Sequence, residues 1–114
     1  GEDAMKEVRD IARLKQEHFV CLYLNARNEL LGKKTVSIGT LTKSLIHPRE
    51  VFSEAIALSC HSLILAHNHP SGSLEASPED ILVTQRLQSA GELLGIEVLD
   101  HIVVSKNGWR SIGN

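Results

Sequence analysis

The chain is organised around the stretch Ser62-Leu63-Ile64-Leu65-Ala66-His67-Asn68-His69-Pro70-Ser71-Gly72. Its apolar beginning is typical of a buried strand, and two histidines follow at its end. Because strand side chains alternate between two faces, His67 and His69 should point one way and Asn68 the other. A short loop leads to Ser77-Pro78-Glu79-Asp80, which predicts a helix start that carries an acid. Two imidazoles and a carboxylate fit a catalytic zinc site, which takes three protein ligands and leaves a place for water.

The composition is that of an ordinary soluble domain. The 114 residues are 42% hydrophobic and 23% charged, which predicts one domain over residues 1–114. The net charge of −2 argues against a nucleic-acid-binding face. No apolar run approaches the roughly 18 residues of a membrane span, and no signal peptide is recognisable. Cys21 and Cys60 lie outside any CxxC pattern, which favours a reducing, cytoplasmic location.

The start of the chain predicts a lead-in helix. Met5, Val8, Ile11 and Ala12 approximate helical spacing, so we expect a helix over residues 2–16. Met5 is the chain's single methionine, and the first residue is a glycine. We therefore interpret the sequence as a fragment, with residues 1–16 leading in from an upstream region.

The next segments predict a hairpin and a helix. Residues 18–25 carry apolar side chains on both faces, which indicates a central strand. A turn-forming segment at 25–28 joins it to a second strand over 30–40. After a connector over 42–47, residues 48–60 predict an amphipathic helix with a proline in its first turn.

The second half of the chain adds the remaining elements of a mixed sheet. A buried strand is predicted at 62–67 and a loop at 68–76. A helix capped by Ser77 is predicted from Pro78 to about Leu94, with Gly95 at its C-cap. A strand at 96–104 follows, with Val98, Ile102 and Val104 on one side, and a hairpin turn at Asn107-Gly108 leads to a last strand at 109–112. This order predicts an α/β (α+β) fold in which helices pack on a mixed sheet, rather than a purely parallel one.

Several candidate residues also have ordinary structural explanations. Ser77 and Asp80 match a capping box, so Asp80 can be a cap, a metal ligand or both. Glu50 lies in a first helical turn, where the helix dipole favours an acid, and it could instead be a general base, with Glu54 as a competitor. Hydroxyls of Ser71 and Ser77 could stabilise an oxyanion or serve turns and caps.

The other histidines are interpreted as bystanders or supports. His47 precedes a proline and His61 lies outside the buried strand, so both are read as incidental. Asp100 and His101 fall within a predicted strand. A supporting or structural hydrogen bond is expected there, and neither residue is read as a ligand.

Taken together, these segments resemble a known family. His-x-His-Pro followed after six residues by Ser-x-x-Asp, with an upstream glutamate at a helix start, resembles the JAMM motif of MPN+/JAB metalloproteases. The surrounding segments resemble the bacterial RadC family: His47-Pro48-Arg49-Glu50-Val51-Phe52, Ile64 to Gly72, Ser77 to Asp80, and Leu99-Asp100-His101-Ile102-Val103-Val104. The resemblance runs from about Val20 to Ile112.

This resemblance implies a zinc ion held by His67, His69 and Asp80, with Glu50 as the catalytic glutamate and Ser77 as the motif's serine. It also implies a curved mixed sheet flanked by helices, similar in layout to cytidine deaminases. The deaminase signature of H-x-E with P-C-x-x-C is itself absent from the sequence. Full-length relatives carry an upstream helix-hairpin-helix-like region, which agrees with interpreting the chain as a fragment.

The function expected from the resemblance is zinc-dependent hydrolysis of an amide bond by a metallopeptidase or isopeptidase. Its partner would be a peptide or protein substrate, which the sequence does not identify, nor does it indicate an oligomeric state. Two alternatives stay open. One is the DNA-repair association historically attached to the RadC name, and the other is a metal-binding interaction domain without turnover.

Overall fold

The computed structural model describes residues 2–42 and 46–112, which form a five-stranded sheet flanked by helices. The helices are α1 (Glu2–Val8), continued by a 3-10 turn (Arg9–Ile11), α2 (Pro48–Ala57) and α3 (Pro78–Leu94). The strands are β1 (His18–Leu24), β2 (Leu30–Ile38), β3 (Ser62–Asn68), β4 (Glu97–Ser105) and β5 (Gly108–Ser111). Residues 43–45, within the predicted connector, lie outside the described residues.

The sheet is mixed, as predicted. Its strand order is β2-β1-β3-β4-β5, in which β3 and β4 are parallel and the other three pairs are antiparallel. β1 lies inside the sheet and its residues from Phe19 onward are buried, which confirms the central strand. The strand bounds agree with the predicted segments to within two residues.

Apolar side chains cover both faces of the sheet. The α2/α3 face is the side on which α2 and α3 pack, and its core includes Phe19, Tyr23, Phe52, Leu65, Val83, Leu87 and Val98. The α1 face lies on the other side, and its core includes Ala4, Val8, Val20, Leu22, Ala66, Ile102 and Val104. Because β1 and β3 alternate between these two cores, their register is strongly specified.

The predicted helix over 2–16 is too long. The α-helix ends at Val8, and i to i+3 bonds follow at Ala12 and Leu14. Ala4, Val8 and Ile11 are buried, whereas residues 13–16 are exposed and add no buried apolar side chain that would hold a further helical turn. The Asn68 side-chain amide also donates to the main-chain carbonyls at positions 14 and 16.

The two later helices show how local signals set helix ends. α3 begins after the Ser77 cap and ends at Leu94, with Gly95 at φ 72°, as predicted. α2 ends at Ala57 rather than residue 60, because Ser59 adopts a left-handed conformation with φ 51° and the amide of Cys60 bonds to the carbonyl of Ala55. The spacing of apolar residues gave no sign of that early stop.

β4 contains an irregularity that changes which side chains face the site. Leu63 pairs with Val98 and Ile64 pairs with Asp100, so Leu99 is an extra residue in β4. Val98 consequently lies on the α2/α3 face, whereas Ile102 lies on the α1 face. The prediction that Val98, Ile102 and Val104 share one side is therefore wrong. A bulge of this kind redirects the side chains that follow it, and here it turns His101 toward the α2/α3 face.

The cysteines and the helix lengths can also be compared with the sequence analysis. Cys21 and Cys60 are buried, and they are not joined by a disulfide. Among the described residues, no helix combines the length and apolar character needed to cross a bilayer.

Candidate metal centre

The two histidines of the opening stretch come together at the end of β3. His67 lies between Phe19 of β1 and Val103 of β4, and its side chain is fully buried. His69 follows the strand and is 8% exposed. Asn68 points the opposite way and holds the main chain that precedes β1, as the alternation predicted.

Asp80 reaches the histidines from the first turn of α3. Ser77 Oγ accepts a hydrogen bond from the Asp80 amide at 3.1 Å, and the Ser77 amide donates to Asp80 Oδ2 at 2.8 Å. These two bonds form a capping box. The cap fixes the start of α3 and at the same time directs the carboxylate inward, where Asp80 is 1% exposed. The cap and a ligand role are therefore compatible.

Four polar atoms converge in this buried space. His67 Nε2 lies 3.1 Å from Asp80 Oδ1, and His69 Nε2 lies 3.0 Å from Asp80 Oδ2. The two Nε2 atoms are 2.9 Å apart. One ligand atom from each residue can be chosen so that all three lie within 4.8 Å of one another, so this group could hold a metal ion.

The chemistry of these atoms fits a cation. His69 Nδ1 lies 3.1 Å from the Ser73 carbonyl oxygen, which can only accept, so Nδ1 carries the hydrogen. In neutral His69, Nε2 is then a lone pair that faces the Asp80 carboxylate. A buried carboxylate beside an imidazole lone pair needs a positive charge or a shared proton between them. Nitrogen and carboxylate oxygen are ligands that zinc accepts.

The pKa of His69 and the pKa of Asp80 both shift in the direction that favours a positive charge beside the carboxylate. The hydrogen bond to Asp80 raises the pKa of His69 above its usual value, although burial opposes this. Burial by itself would raise the pKa of Asp80, but hydrogen bonds from His67 and His69 outweigh it and hold that pKa well below its usual range. Without a metal, a proton on imidazole is thus the alternative partner of this carboxylate.

Behind His67 lies a second buried imidazole, His101. Its Nε2 is 2.7 Å from His67 Nδ1, and its Nδ1 contacts the Thr84 hydroxyl. Thr84 Oγ1 donates in turn to the Asp80 carbonyl oxygen at 2.9 Å. Burial lowers the pKa of His101 well below its usual value, so this ring is neutral. The expected supporting hydrogen bond at Asp100-His101 is present, and His101 makes it to a candidate ligand.

The remaining polar residues of the sequence analysis lie elsewhere. Asp100 Oδ1 accepts hydrogen bonds from the His101 amide and the Ser111 hydroxyl, which is a structural role within the sheet. His47 is the exposed N-cap of α2, and His61 is exposed just before β3. Neither belongs to the group of possible metal-ligating residues found among the described residues.

A cleft opens beside His69 and contains an acid that the sequence analysis missed. It has a volume of about 340 Å³ and is lined by Glu17, His69, Pro70, Ser71, Ser73, Glu75 and Ser77. Glu17 directly precedes β1, and β1 is antiparallel to β3, so the start of β1 lies beside the end of β3. Its Oε2 atom accepts the Leu41 amide at 2.9 Å. Only the strand pairing reveals this proximity, because Glu17 is 50 residues from His67 along the chain.

Glu50 is not among the residues that line this cleft. It is an exposed residue in the first turn of α2. The neighbouring carbonyl of Val51 accepts a hydrogen bond from the Tyr23 hydroxyl. Among the described contacts, none joins the Glu50 carboxylate to the His-His-Asp group, and its catalytic role stays a prediction.

The fold and site define a mixed α/β domain with a candidate metal centre at the end of a central strand. The chain belongs to the RadC-like JAB domain family, whose model matches residues 2–114. It is 57% identical over 112 residues to a UPF0758 protein of Shouchella clausii, covering 97% of this chain and 49% of that protein. It is 52% identical over 105 residues to UPF0758 protein YsxA of Bacillus subtilis, covering 92% and 46% respectively. The chain thus spans about half the length of the curated relatives it matches.

Proposed function

We propose that this domain is a zinc-dependent metallohydrolase that cleaves an amide bond in a peptide or protein, as a metallopeptidase or isopeptidase. The observation that carries the proposal is the buried convergence of His67, His69 and Asp80 beside an open cleft. Three ligands next to an accessible space are the arrangement of a catalytic rather than a structural zinc site. A bound zinc ion would supply Lewis acidity and lower the pKa of a water from 15.7 to about 7.

Ser77 is suited to stabilise negative charge on the substrate. Its Oγ accepts from the Asp80 amide, so the hydroxyl hydrogen stays free to donate. Ser77 also lines the cleft beside His69, where a substrate carbonyl could lie. Removing one such donor typically lowers kcat by about 10²–10³-fold.

Two acids are proposed for the proton transfers, Glu50 from the motif and Glu17 from the geometry. The structure supports Glu17, which lines the cleft together with His69 and Ser77 and whose charge contributes to the raised pKa of His69. A carboxylate there could take a proton from a nucleophilic water and return it to the leaving amine. The hydrogen bond to the Leu41 amide fixes one oxygen and leaves the other available.

The test is a hydrolysis assay on protein that has been stripped with a chelator and reloaded with zinc. Peptide and isopeptide libraries serve as substrates, and we expect cleavage that disappears on chelation and returns with zinc. Glu17→Gln and Glu50→Gln are matched variants, because each replaces a carboxylate by an amide of the same shape. The variant that removes the general base should be about 10²–10⁴-fold slower and should still bind zinc.

The outcome assigns the base and can overturn the proposal. Loss of turnover in Glu17→Gln alone would support the geometric assignment, and loss in Glu50→Gln alone would support the motif. Zinc binding without cleavage of any library member would contradict hydrolysis and favour a metal-binding interaction domain.

A further inference from the structure

We propose that His101 is a positioning residue of the metal centre. It holds His67 in the tautomer that binds the metal, with the hydrogen on Nδ1, and Thr84 accepts the hydrogen that His101 then carries on its own Nδ1. The proposal rests on the metal centre of the proposed function, but it does not depend on hydrolysis.

The contacts form a continuous buried chain. His67 Nδ1 lies 2.7 Å from His101 Nε2, His101 Nδ1 contacts Thr84 Oγ1, and Thr84 Oγ1 lies 2.9 Å from the Asp80 carbonyl oxygen. Exposure of these four residues is between 0% and 4%. Because water has so little access, each ring nitrogen must find its partner within this chain.

Hydrogen counting allows two directions for these bonds. A neutral imidazole carries one N–H, and a hydroxyl carries one O–H. In the first direction, the Thr84 hydroxyl turns its hydrogen from the Asp80 carbonyl to His101 Nδ1, and His101 Nε2 donates to His67 Nδ1. The hydrogen of His67 is then on Nε2, where it faces Asp80. This direction satisfies a metal-free site, but it blocks the nitrogen that would bind a metal.

The second direction frees that nitrogen. His67 Nδ1 donates to His101 Nε2, and His101 Nδ1 donates to the Thr84 hydroxyl. The hydroxyl hydrogen then goes to the Asp80 carbonyl oxygen, so every buried hydrogen still has an acceptor. His67 Nε2 becomes a lone pair that points at Asp80 and His69. Metal binding therefore selects the second direction without leaving a buried polar group unpaired.

Two structural features place His101 where it can orient the candidate ligands. The extra residue Leu99 in β4 places His101 on the face that contains the candidate ligands. The last acceptor is the main-chain carbonyl of Asp80, whose own carboxylate faces the same space. The chain of hydrogen bonds thereby links a ligand on β3 to a ligand on α3 through β4, and it fixes their relative orientation.

The experiment measures zinc affinity in His101→Phe, Thr84→Val and Thr84→Ser by competition with a chromophoric chelator. His101→Phe keeps a buried ring but removes the acceptor. Thr84→Val keeps the shape of threonine but removes the hydroxyl, and Thr84→Ser restores that hydroxyl. Circular dichroism and thermal melting show which variants fold, and the Thr84 pair remains informative if His101→Phe does not fold.

We expect His101→Phe to weaken zinc binding by about 10- to 100-fold, as loss of a hydrogen bond behind a metal-binding histidine typically does. Thr84→Val should weaken it by about 10-fold, and Thr84→Ser should stay within about threefold of the unaltered chain. Nitrogen-15 NMR of the zinc-loaded chain should show the hydrogen of His101 on Nδ1, where it donates to Thr84, a result that a purely packing role would not require.

Each outcome bears on the positioning role separately from hydrolysis. Folded His101→Phe and Thr84→Val variants that bind zinc as tightly as the unaltered chain would overturn it. A hydrogen on His101 Nε2 in the zinc-loaded chain, or no zinc binding by the unaltered chain, would overturn it as well. A weakened affinity that Thr84→Ser restores supports the role even where no substrate is cleaved.

Discussion

Substitution of Asp80 by asparagine separates the two roles of this side chain, helix capping and metal binding. The amide oxygen of asparagine can still accept the hydrogen bond from the Ser77 amide, which is 2.8 Å long in the capping box. The bond from the residue 80 amide to Ser77 Oγ does not involve the altered group. The start of α3 should therefore be retained, while the negative charge that faces His67 and His69 is lost. We expect Asp80→Asn to fold and to lose its affinity for zinc.

The size of the effect follows from linkage between binding and folding. At a free zinc concentration 100 times Kd, binding stabilises the folded state by about 2.7 kcal/mol. With 114 residues and an unfolding entropy of about 2.1 cal/mol/K per residue, this gain raises Tm by about 11 °C. Differential scanning calorimetry with buffered zinc and with chelator should show this rise in the unaltered chain and less than about 2 °C in Asp80→Asn.

Ser77→Ala is the matched control. It removes the hydroxyl that caps α3, which should cost about 1 kcal/mol and lower Tm by about 4 °C with or without zinc. It leaves the carboxylate in place, so the zinc-dependent rise should persist. A full 11 °C rise in Asp80→Asn would refute the ligand assignment, and a loss of the rise in Ser77→Ala would show that the cap and the ligand cannot be separated.

Three further results are expected. Burial raises the pKa of the Cys21 thiol to about 12, so the native chain should resist iodoacetamide at pH 8 at this residue, and rapid alkylation without unfolding would contradict its burial. A Cβ on Gly91 would lie 2.3 Å from the Ile96 carbonyl oxygen, so Gly91→Ala should lower the free energy of unfolding by about 1–3 kcal/mol in urea titrations, despite the better helix propensity of alanine. In metal-free protein, the lowered pKa of Asp80 adds stability that is lost as pH falls below about 4, and the raised pKa of His69 adds stability that is lost as pH rises above about 6.5. Melting with chelator across pH should show this contribution between those limits, and Asp80→Asn should lack it.

The features that could be predicted from the sequence are those set by local interactions. Ser77, Pro78 and Gly95 determine both ends of α3 through contacts within a few residues, and the structure has the predicted bounds. Alternation along β3 placed His67 and His69 on one face for the same reason. The predicted helix over 2–16 is too long because residues 13–16 are exposed and bury no apolar side chain.

The features that could not be predicted depend on how distant strands pair. Glu17 reaches the cleft because β1 is antiparallel to β3, so the residue before one strand lies beside the end of the other. His101 faces His67 because a single extra residue in β4 reverses the alternation after Val98. Regular alternation from Val98 would put residue 101 on the α1 face, away from the candidate ligands. The position of His101 behind His67 therefore depends on one register shift, which neither composition nor local spacing predicts. The candidate ligands, in contrast, lie within a motif of 14 residues, from His67 to Asp80, which the sequence shows directly.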